Sequence, residues 1–283
     1  MFYASYENER GKLSFSGGGR GGLLLKAVSG LGLPKRDCAV IGYAGQPGQE
    51  LLSCRDVGRV ITLSFDLAAG AVEELSRVLG ILYEPGVLTL ENGARKRRIS
   101  CRTEAVEEPE KRGPGLYSLV AQFVCDKPYF TDEAPVRAPL FYRRDLIESG
   151  FLLPCVFTER QDSCVLKNLG DVAAEPVFTV ANVGKEESTS EKQGILLKNG
   201  RTAKTLHLDY ATAPGETLLV DVPGRQIVSS LWGDVTDCLS PDSYLSDFVL
   251  LPGENPLLAE SLRPGEALSV SLAYDNLYTE AVM

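Results

Sequence analysis

Histidine and tryptophan each occur once in this 283-residue chain, and methionine twice. With His207 as the lone imidazole, histidine-rich metal sites are excluded and one candidate base remains. Seven cysteines are present and no two form a CxxC pair, so a zinc site would have to gather thiolates from distant segments. Buried free thiols in a reducing cytoplasm are the plainer reading, with Cys101 and Cys125 sitting in strand-like runs. No apolar run approaches the roughly twenty residues that span a bilayer, and Glu7, Glu9 and Arg10 come too early for a signal peptide. The expectation is a soluble protein without membrane insertion. Positive charge is also short: 29 basic against 38 acidic residues leave a net charge of -9. Such a surface does not attract nucleic-acid phosphates overall, though a local patch still could.

What is present points to strands and turns. There are 28 glycines and 16 prolines, with 44% hydrophobic residues to build a core. "RVITLSFDLA" alternates Val60, Thr62, Ser64 and Asp66 with Ile61, Leu63 and Phe65, the period of a strand. The period then lengthens. Val72, Leu75, Val78, Leu79 and Leu82 lie at helical spacing, which predicts one amphipathic helix plugging an open sheet. Asn92-Gly93 predicts a tight hairpin turn, and "EEPEKRGPG" a charged loop. "LYSLVAQFVCDKPYF" is expected as the last strand of an N-terminal domain over 1–135. The mixed prolines and charges of 136–160 read as a linker with a short helix. From 161 to 283 the reading is almost purely β, with "CVLKNLGDVAAEPVFTVAN" pairing two strands across a Gly-Asp turn. Asn199-Gly200, Pro214-Gly215 and Pro223-Gly224 mark further turns, as in a β-sandwich.

Single motifs carry little chemistry. "GGGRGG" at 17–22 lacks the lysine and following helix of a phosphate loop and reads as a hairpin tip. "ARKRR" at 94–98 reads as a solvated strand face or a subunit contact. His207 and Asp209 share a strand face, yet no nucleophile elbow accompanies them. Trp232, Tyr244 and Tyr274 are candidates for stacking on a sugar, against the plainer reading of Trp232 as core. No cofactor motif is found.

The ordered series is more specific than its parts. A strand near "GLGLP", then "DVGRVITLSFDL", a helix, "GVLTLENGARKRRISCR" and a strand entering "CDKPYFTD" resemble the N-terminal domain of the distal tail proteins of siphophages and prophages. Arg59 matches the arginine opening the family's alternating strand. Asp126, Pro128, Tyr129 and Phe130 match its closing phrase, with Lys127 inserted. Asn168, Gly170, Asp171 and Pro176 match a second segment, and Gly253 with Asn255 a third.

The resemblance implies a mainly β fold: an N-terminal split β-barrel with one packed helix and a C-terminal galectin-like β-sandwich. It implies a structural, non-enzymatic baseplate hub at the virion tail tip, assembled in the bacterial host cytoplasm. A homo-hexameric ring would join the tail tube protein to a tail-associated hub or fibre protein, and DNA would cross it transiently. The Asp-Lys-Pro-Tyr-Phe phrase becomes the exit from the ring-building domain, with Tyr129 and Phe130 anchoring it by burial at about 1.5–3 kcal/mol for a well-buried ring. The alternative is a carbohydrate-binding sandwich attaching to host wall polymers through Trp232.

Overall fold

Period-two alternation governs most of the chain, and the computed structural model is mainly β. It describes residues 2–16, 23–68, 72–93, 95–145, 158–161, 163–184, 194–262 and 268–281. Contacts divide the chain into two units, Met1–Glu133 with Tyr278–Met283, and Ala134–Leu277.

The first unit runs β1 (Phe2–Asn8), β2 (Gly11–Phe15), β3 (Leu23–Ser29), β4 (Arg36–Ile41), β5 (Glu50–Asp56), β6 (Arg59–Ala68), α1 (Val72–Tyr83), β7 (Gly86–Asn92), β8 (Arg95–Val106), β9 (Glu110–Gly113) and β10 (Leu116–Cys125). Its main sheet has the order β2-β1-β7-β8-β10-β6-β3, with β9 on β10. The Ser16 N–H donates to Leu23 O and the Leu25 N–H to Ser16 O, drawing the two end strands together. Inside lie Ile61, Leu63 and Phe65 of β6 and Leu119, Ala121 and Phe123 of β10, all buried. The helix adds Val78, Ile81 and Leu82 to this core. Glu73 and Glu74 occupy its first turn, where negative charge suits the exposed N–H groups. The Asn92-Gly93 turn joins β7 to β8, and Gly93 takes φ 63°, which glycine adopts freely. The expected loop over "EEPEKRGPG" contains β9, whose pairing with β10 satisfies backbone groups that a loop would leave to water.

Between β3 and β6 the chain leaves the sheet. β4 and β5 form a separate two-stranded hairpin, in which Cys38 lies opposite Cys54 and the two form a disulfide. The expectation of free buried thiols therefore fails for this pair, because register sets two distant cysteines face to face. It holds for Cys101 and Cys125, which are buried and free. The hydrogen bond to Cys125, together with burial, pushes the Cys101 thiol well above its ordinary pKa.

The second unit comprises β11 (Val136–Asp145), β12 (Thr158–Gln161), β13 (Ser163–Asn168), β14 (Val177–Asn182), β15 (Ile195–Asn199), β16 (Lys204–Leu208), β17 (Thr217–Asp221), β18 (Gln226–Ser229), β19 (Gly233–Asp234), β20 (Gly253–Ser261) and β21 (Leu268–Tyr274). A seven-stranded sheet, β12-β11-β21-β14-β17-β18-β19, and a four-stranded sheet, β13-β20-β15-β16, share one core. Phe178, Val220 and Val270 come from the first, and Leu197, Leu206 and Leu257 from the second. This is a sandwich.

Two expectations change here. The supposed linker at 136–160 opens with β11, which pairs with β21; the register shifts between Pro139 and Phe141, where proline has no N–H to donate. The strands of "CVLKNLGDVAAEPVFTVAN" do not pair with each other: β13 joins β20, while β14 joins β17 and β21. The segment between them crosses from one sheet to the other, as Greek-key sandwiches require.

One carboxylate in this unit is only 1% exposed. Glu216 accepts from Tyr210 Oη at 2.6 Å, from the Ala213 N–H at 2.7 Å and from the Ser229 hydroxyl. Burial raises its pKa, but the bonds from Ser229, Tyr210 and Ala213 outweigh burial and hold it below the ordinary 4.5. Because the folded pKa is depressed, this stabilisation is present above pH 4.5 and lost as pH falls through the folded value. Glu216→Gln is expected to cost about 1–3 kcal/mol at neutral pH, with the gap to wild type narrowing in acid. Urea unfolding at neutral and acidic pH would measure it; a pH-independent difference would contradict the assignment.

Candidate functional site

The phrase that closes β10 builds a clasp within the first unit. Pro128 lacks an N–H and ends the ladder. Asp126, at the exposed turn, pairs with Arg102 at 2.5 Å. Phe130 and Tyr278 then exchange both backbone hydrogen bonds, at 2.9 and 2.8 Å, and Thr131 does the same with Arg98. The segment after β10 thus lies between β8 and the tail residues 278–281.

Phe130 is fully buried, and the Arg59 guanidinium stands 4.4 Å from its ring centroid. Arg59 is itself buried and donates to Gly32 O at 3.0 Å, Gly30 O at 3.3 Å and Thr279 O at 2.8 Å. One cation therefore ties the end of β3, the start of β6 and the tail to one ring. Burial lowers its pKa, while Cys125, Asp56 and Tyr129 act in the opposite direction. Gly30 takes φ +83°, and a Cβ there would sit 2.1 Å from Val60 O. Only glycine brings that carbonyl to Arg59 without displacing β6.

Tyr129 reaches the other way. Its hydroxyl donates to Asp56 at 2.7 Å, and Asp56 also accepts from Arg36 Nε at 3.0 Å. Burial and the Asp56 bond push the Tyr129 phenol up to about 12, so this donation persists across physiological pH. Through Asp56 the clasp holds the root of the β4–β5 hairpin.

The basic run is used here as well. Lys96 pairs with Glu133 at 2.6 Å, Arg97 with Asp132 at 2.6 Å, and Arg98 donates to Glu133 O at 2.7 Å. The Arg97 guanidinium lies 3.5 Å from the Tyr278 ring centroid, and Tyr278 donates to Asp132 at 3.1 Å. Within its own unit, the run grips the acidic segment 126–133. Ala94 lies outside the described residues, as does the glycine loop 17–22.

The second set of matched residues organises loops in the sandwich. Buried Asn168 donates to Leu250 O at 2.8 Å and Val172 O at 3.0 Å and accepts from the Gly170 N–H at 2.8 Å. A Cβ on Gly170 would meet Leu277 O at 2.5 Å, and the Asp171 N–H donates to that same carbonyl. Pro176 is buried just ahead of β14. Asn255, fully buried, closes the turn at Gly253 (φ +95°) through Leu251 and Gly253. The Asn168 and Asn255 side chains are buried and hold backbone, whereas the Asp171 side chain is exposed and the residue contributes its N–H here.

The catalytic and sugar-binding candidates separate. His207 Nε2 lies 3.0 Å from Asp209, which strand alternation allowed. The nearby Ser243 Oγ is occupied by the His207 N–H and Thr205 O, and Ser243 is buried, so it is not poised as a nucleophile. A groove of about 440 Å3 beside β16 includes His207 and exposed Tyr244. Trp232 is not in it. Trp232 sits in the β18–β19 turn and is 73% exposed, against the expectation of a core tryptophan, whereas Tyr274 is buried with its hydroxyl on Lys167 O. The three aromatics therefore form no common platform. Among the described residues no cluster of three or more His, Cys, Asp or Glu could hold a metal.

Gly30, Gly32, Asp56, Asp132, Tyr278 and Thr279 were not anticipated as parts of the clasp. Gly30, Gly32, Asp56 and Asp132 lie inside the phrases quoted above, yet spacing assigns them no partner there, and all six join the clasp only through tertiary pairing.

No protein-family profile and no curated protein sequence matches the chain. Solved structures do. The crystal structure of the SPP1 Dit protein (gp 19.1), described as a paradigm of the hub adsorption apparatus in phages infecting Gram-positive bacteria, aligns with TM-score 0.65 and 14% identity over 96% of this chain and 98% of that one. The phage P2 baseplate in its activated conformation contains a chain with TM-score 0.52 and 10% identity with Ca, and 0.51 and 10% with Sr. Each covers 96% of this chain, and 97% and 98% of the baseplate chain respectively. At such identities the likeness establishes a shared fold across nearly the whole chain.

Proposed function

We propose that this chain is a structural distal tail protein of a long-tailed phage or prophage, a baseplate hub without enzymatic activity. One observation carries the reading: the SPP1 Dit fold matches both units in one alignment, 96% of this chain and 98% of that one. A sandwich domain alone would be shared with many unrelated proteins; a barrel, a helix and a sandwich in the same order are far rarer.

In this role the protein forms a homo-hexameric ring at the virion tail tip. The ring joins the tail tube protein to the tail-associated hub or fibre protein, and DNA crosses it during injection. The chain is made and assembled in the bacterial host cytoplasm. The excess of acidic residues suits a conduit that must not retain phosphates. The site residues act structurally: Arg59, Asp126, Pro128, Tyr129 and Phe130 hold the exit from the first unit, and Asn168, Gly170, Asp171, Gly253 and Asn255 hold the sandwich loops.

Negative-stain electron microscopy over a concentration series tests the reading, because association depends on protomer concentration. Six-fold rings with a central hole are the expected result. Monomers at every concentration would count against it.

A second reading keeps one observation in its favour, the exposed Trp232 beside exposed Leu231. In that reading the sandwich binds wall carbohydrate. A glycan screen that detects binding lost in Trp232→Ala would favour it; no binding to any wall polymer would remove it.

A further inference from the structure

Two cysteine pairs in the first unit differ in their access to solvent. Cys101 and Cys125 are buried in its core and free. Cys38 and Cys54 lie opposite each other on β4 and β5, both exposed, and form the disulfide. Disulfides exchange by attack of a thiolate on sulfur, so exposure decides which pair a small thiol can reach. The hairpin pair is open to that attack, and the core pair is not.

The hairpin has little else to hold it. An isolated two-stranded ribbon is marginally stable in water. β4 and β5 join no other sheet, and every residue of the two strands except Asp56 is exposed, so no buried core fixes one strand on the other. The two sides of the disulfide are unequal. Toward the root, Arg36 pairs with Asp56 at 3.0 Å and Arg55 with Asp37 at 3.1 Å. There the Val57 N–H also donates to Lys35 O at 3.0 Å, and the Tyr129 hydroxyl grips Asp56. Toward the outer end the ladder slips. Ala39 faces Ser53, but Val40 faces Leu51, which leaves Leu52 as an extra residue before the last pair, Ile41 with Glu50. Such a bulge interrupts the pairing. Beyond it the Tyr43 hydroxyl reaches Glu50 only at 3.5 Å, a weak bond between exposed groups. The disulfide therefore stands at the boundary between a tied root and an almost untied outer half.

We infer that Cys38 and Cys54 are a thiol–disulfide exchange site for low-molecular-weight thiols, and that its state sets whether residues 39–53 are ordered. In reduction, the thiolate of a small thiol attacks one Sγ, the S–S bond breaks, and the other cysteine leaves as thiolate. A second small thiolate attacks the resulting mixed disulfide and departs as the oxidised small disulfide. Two electrons thus pass from two small thiols to the pair, which takes up two protons as Cys38–SH and Cys54–SH. The reverse sequence, run by the small disulfide, restores the bridge. The bridge links residues 16 apart and limits the freedom of the opened hairpin; reduction returns that freedom, and the outer half frays. The root keeps its ties, none of which needs the bridge. This inference goes beyond the hub reading and does not depend on it. Under that reading the chain is made as a dithiol in a reducing cytoplasm and gains its bridge outside.

The test equilibrates the full chain with glutathione at a series of reduced-to-oxidised ratios. Alkylation and peptide mass spectrometry read the state of each cysteine, and hydrogen exchange reads order. Cys38 and Cys54 are expected to convert together from disulfide to dithiol as the ratio rises, while Cys101 and Cys125 stay unmodified in the folded protein. In the dithiol form exchange over 39–53 should rise by about 100-fold, the scale that loop closure sets for a link of this separation. Protection in β6 and β10 should hold. Cys38→Ser/Cys54→Ser should show the fast exchange at every ratio and respond to none. A pair that stays in one state across all ratios would overturn the inference. So would a reduced wild type whose 39–53 exchange matches that of the oxidised form, a comparison that needs no variant. Neither result bears on assembly, so the hub reading would stand in both cases.

Discussion

Phe130→Ala is expected to destabilise the first unit by about 3–5 kcal/mol, the range for removing a fully buried phenylalanine from a packed site. The ring is completely buried, and no described element is free to collapse into its place, because both flanking backbones are pinned: residue 130 to Tyr278 and residue 131 to Arg98. The loss also strips Arg59 of its aromatic partner while leaving its three carbonyl contacts, so part of the cost is a buried cation with less to compensate its lost water. Arg59→Lys separates the two contributions. Lysine keeps the charge but cannot span Gly30, Gly32 and Thr279 with a planar fork, and a smaller loss is expected. Because two units can unfold separately, a single melting temperature would mix them. Hydrogen exchange resolved by peptide is the suitable readout: protection should fall in β3, β6 and β10 and hold in β14 and β21. Unchanged protection in β6 would show that the clasp contributes nothing to stability.

The second large effect is expected at Asn168. Replacing it with alanine leaves Val172 O and the Gly170 N–H without this partner in a buried place, while Leu250 O keeps the Ala174 N–H, at about 2–3 kcal/mol in total. Asn168→Asp should be worse at neutral pH, since a carboxylate would face two carbonyl oxygens where an amide now donates. In acid the protonated form donates again, and the two variants should converge. Exchange in the 169–176 segment and in β20 would report the damage, and an Asn168→Ala protein with native protection there would refute this account.

Local patterns were legible wherever a residue's role depends on its near neighbours. The helix over 72–83 followed from apolar spacing, though Ile81, now buried, was not counted with that stripe. The faces of β6 followed from strict alternation: Ile61, Leu63 and Phe65 point in, and Val60 points out. Gly93 announced its own turn. The clasp was half legible, because Arg59 and the Asp-Lys-Pro-Tyr-Phe phrase could be matched by likeness, but not which residues they pair with, even where Gly30, Gly32 and Asp56 sit within the same matched phrases. Arg59 meets Thr279 across almost the whole chain, and no spacing encodes that. The disulfide was missed for the same reason, since Cys38 and Cys54 become neighbours only once the β4–β5 register is set. Trp232 was misjudged because residue type favours burial while its turn position forbids it. The β11 strand was hidden by Pro139, whose bulge makes a strand read as a connection.

Tyr278 completes the pairing that Phe130 begins, yet a ribosome makes residue 130 long before residue 278. The first unit therefore cannot reach its final form during its own synthesis. It must wait, with the Phe130 pairing edge open, until the whole sandwich sequence has followed it out of the exit tunnel. The delay works as a checkpoint on completeness. A prematurely terminated chain lacks Tyr278 and the Thr279 carbonyl that Arg59 needs, so it cannot seat its clasp properly. Such truncated products would carry an unseated clasp in an otherwise complete first unit.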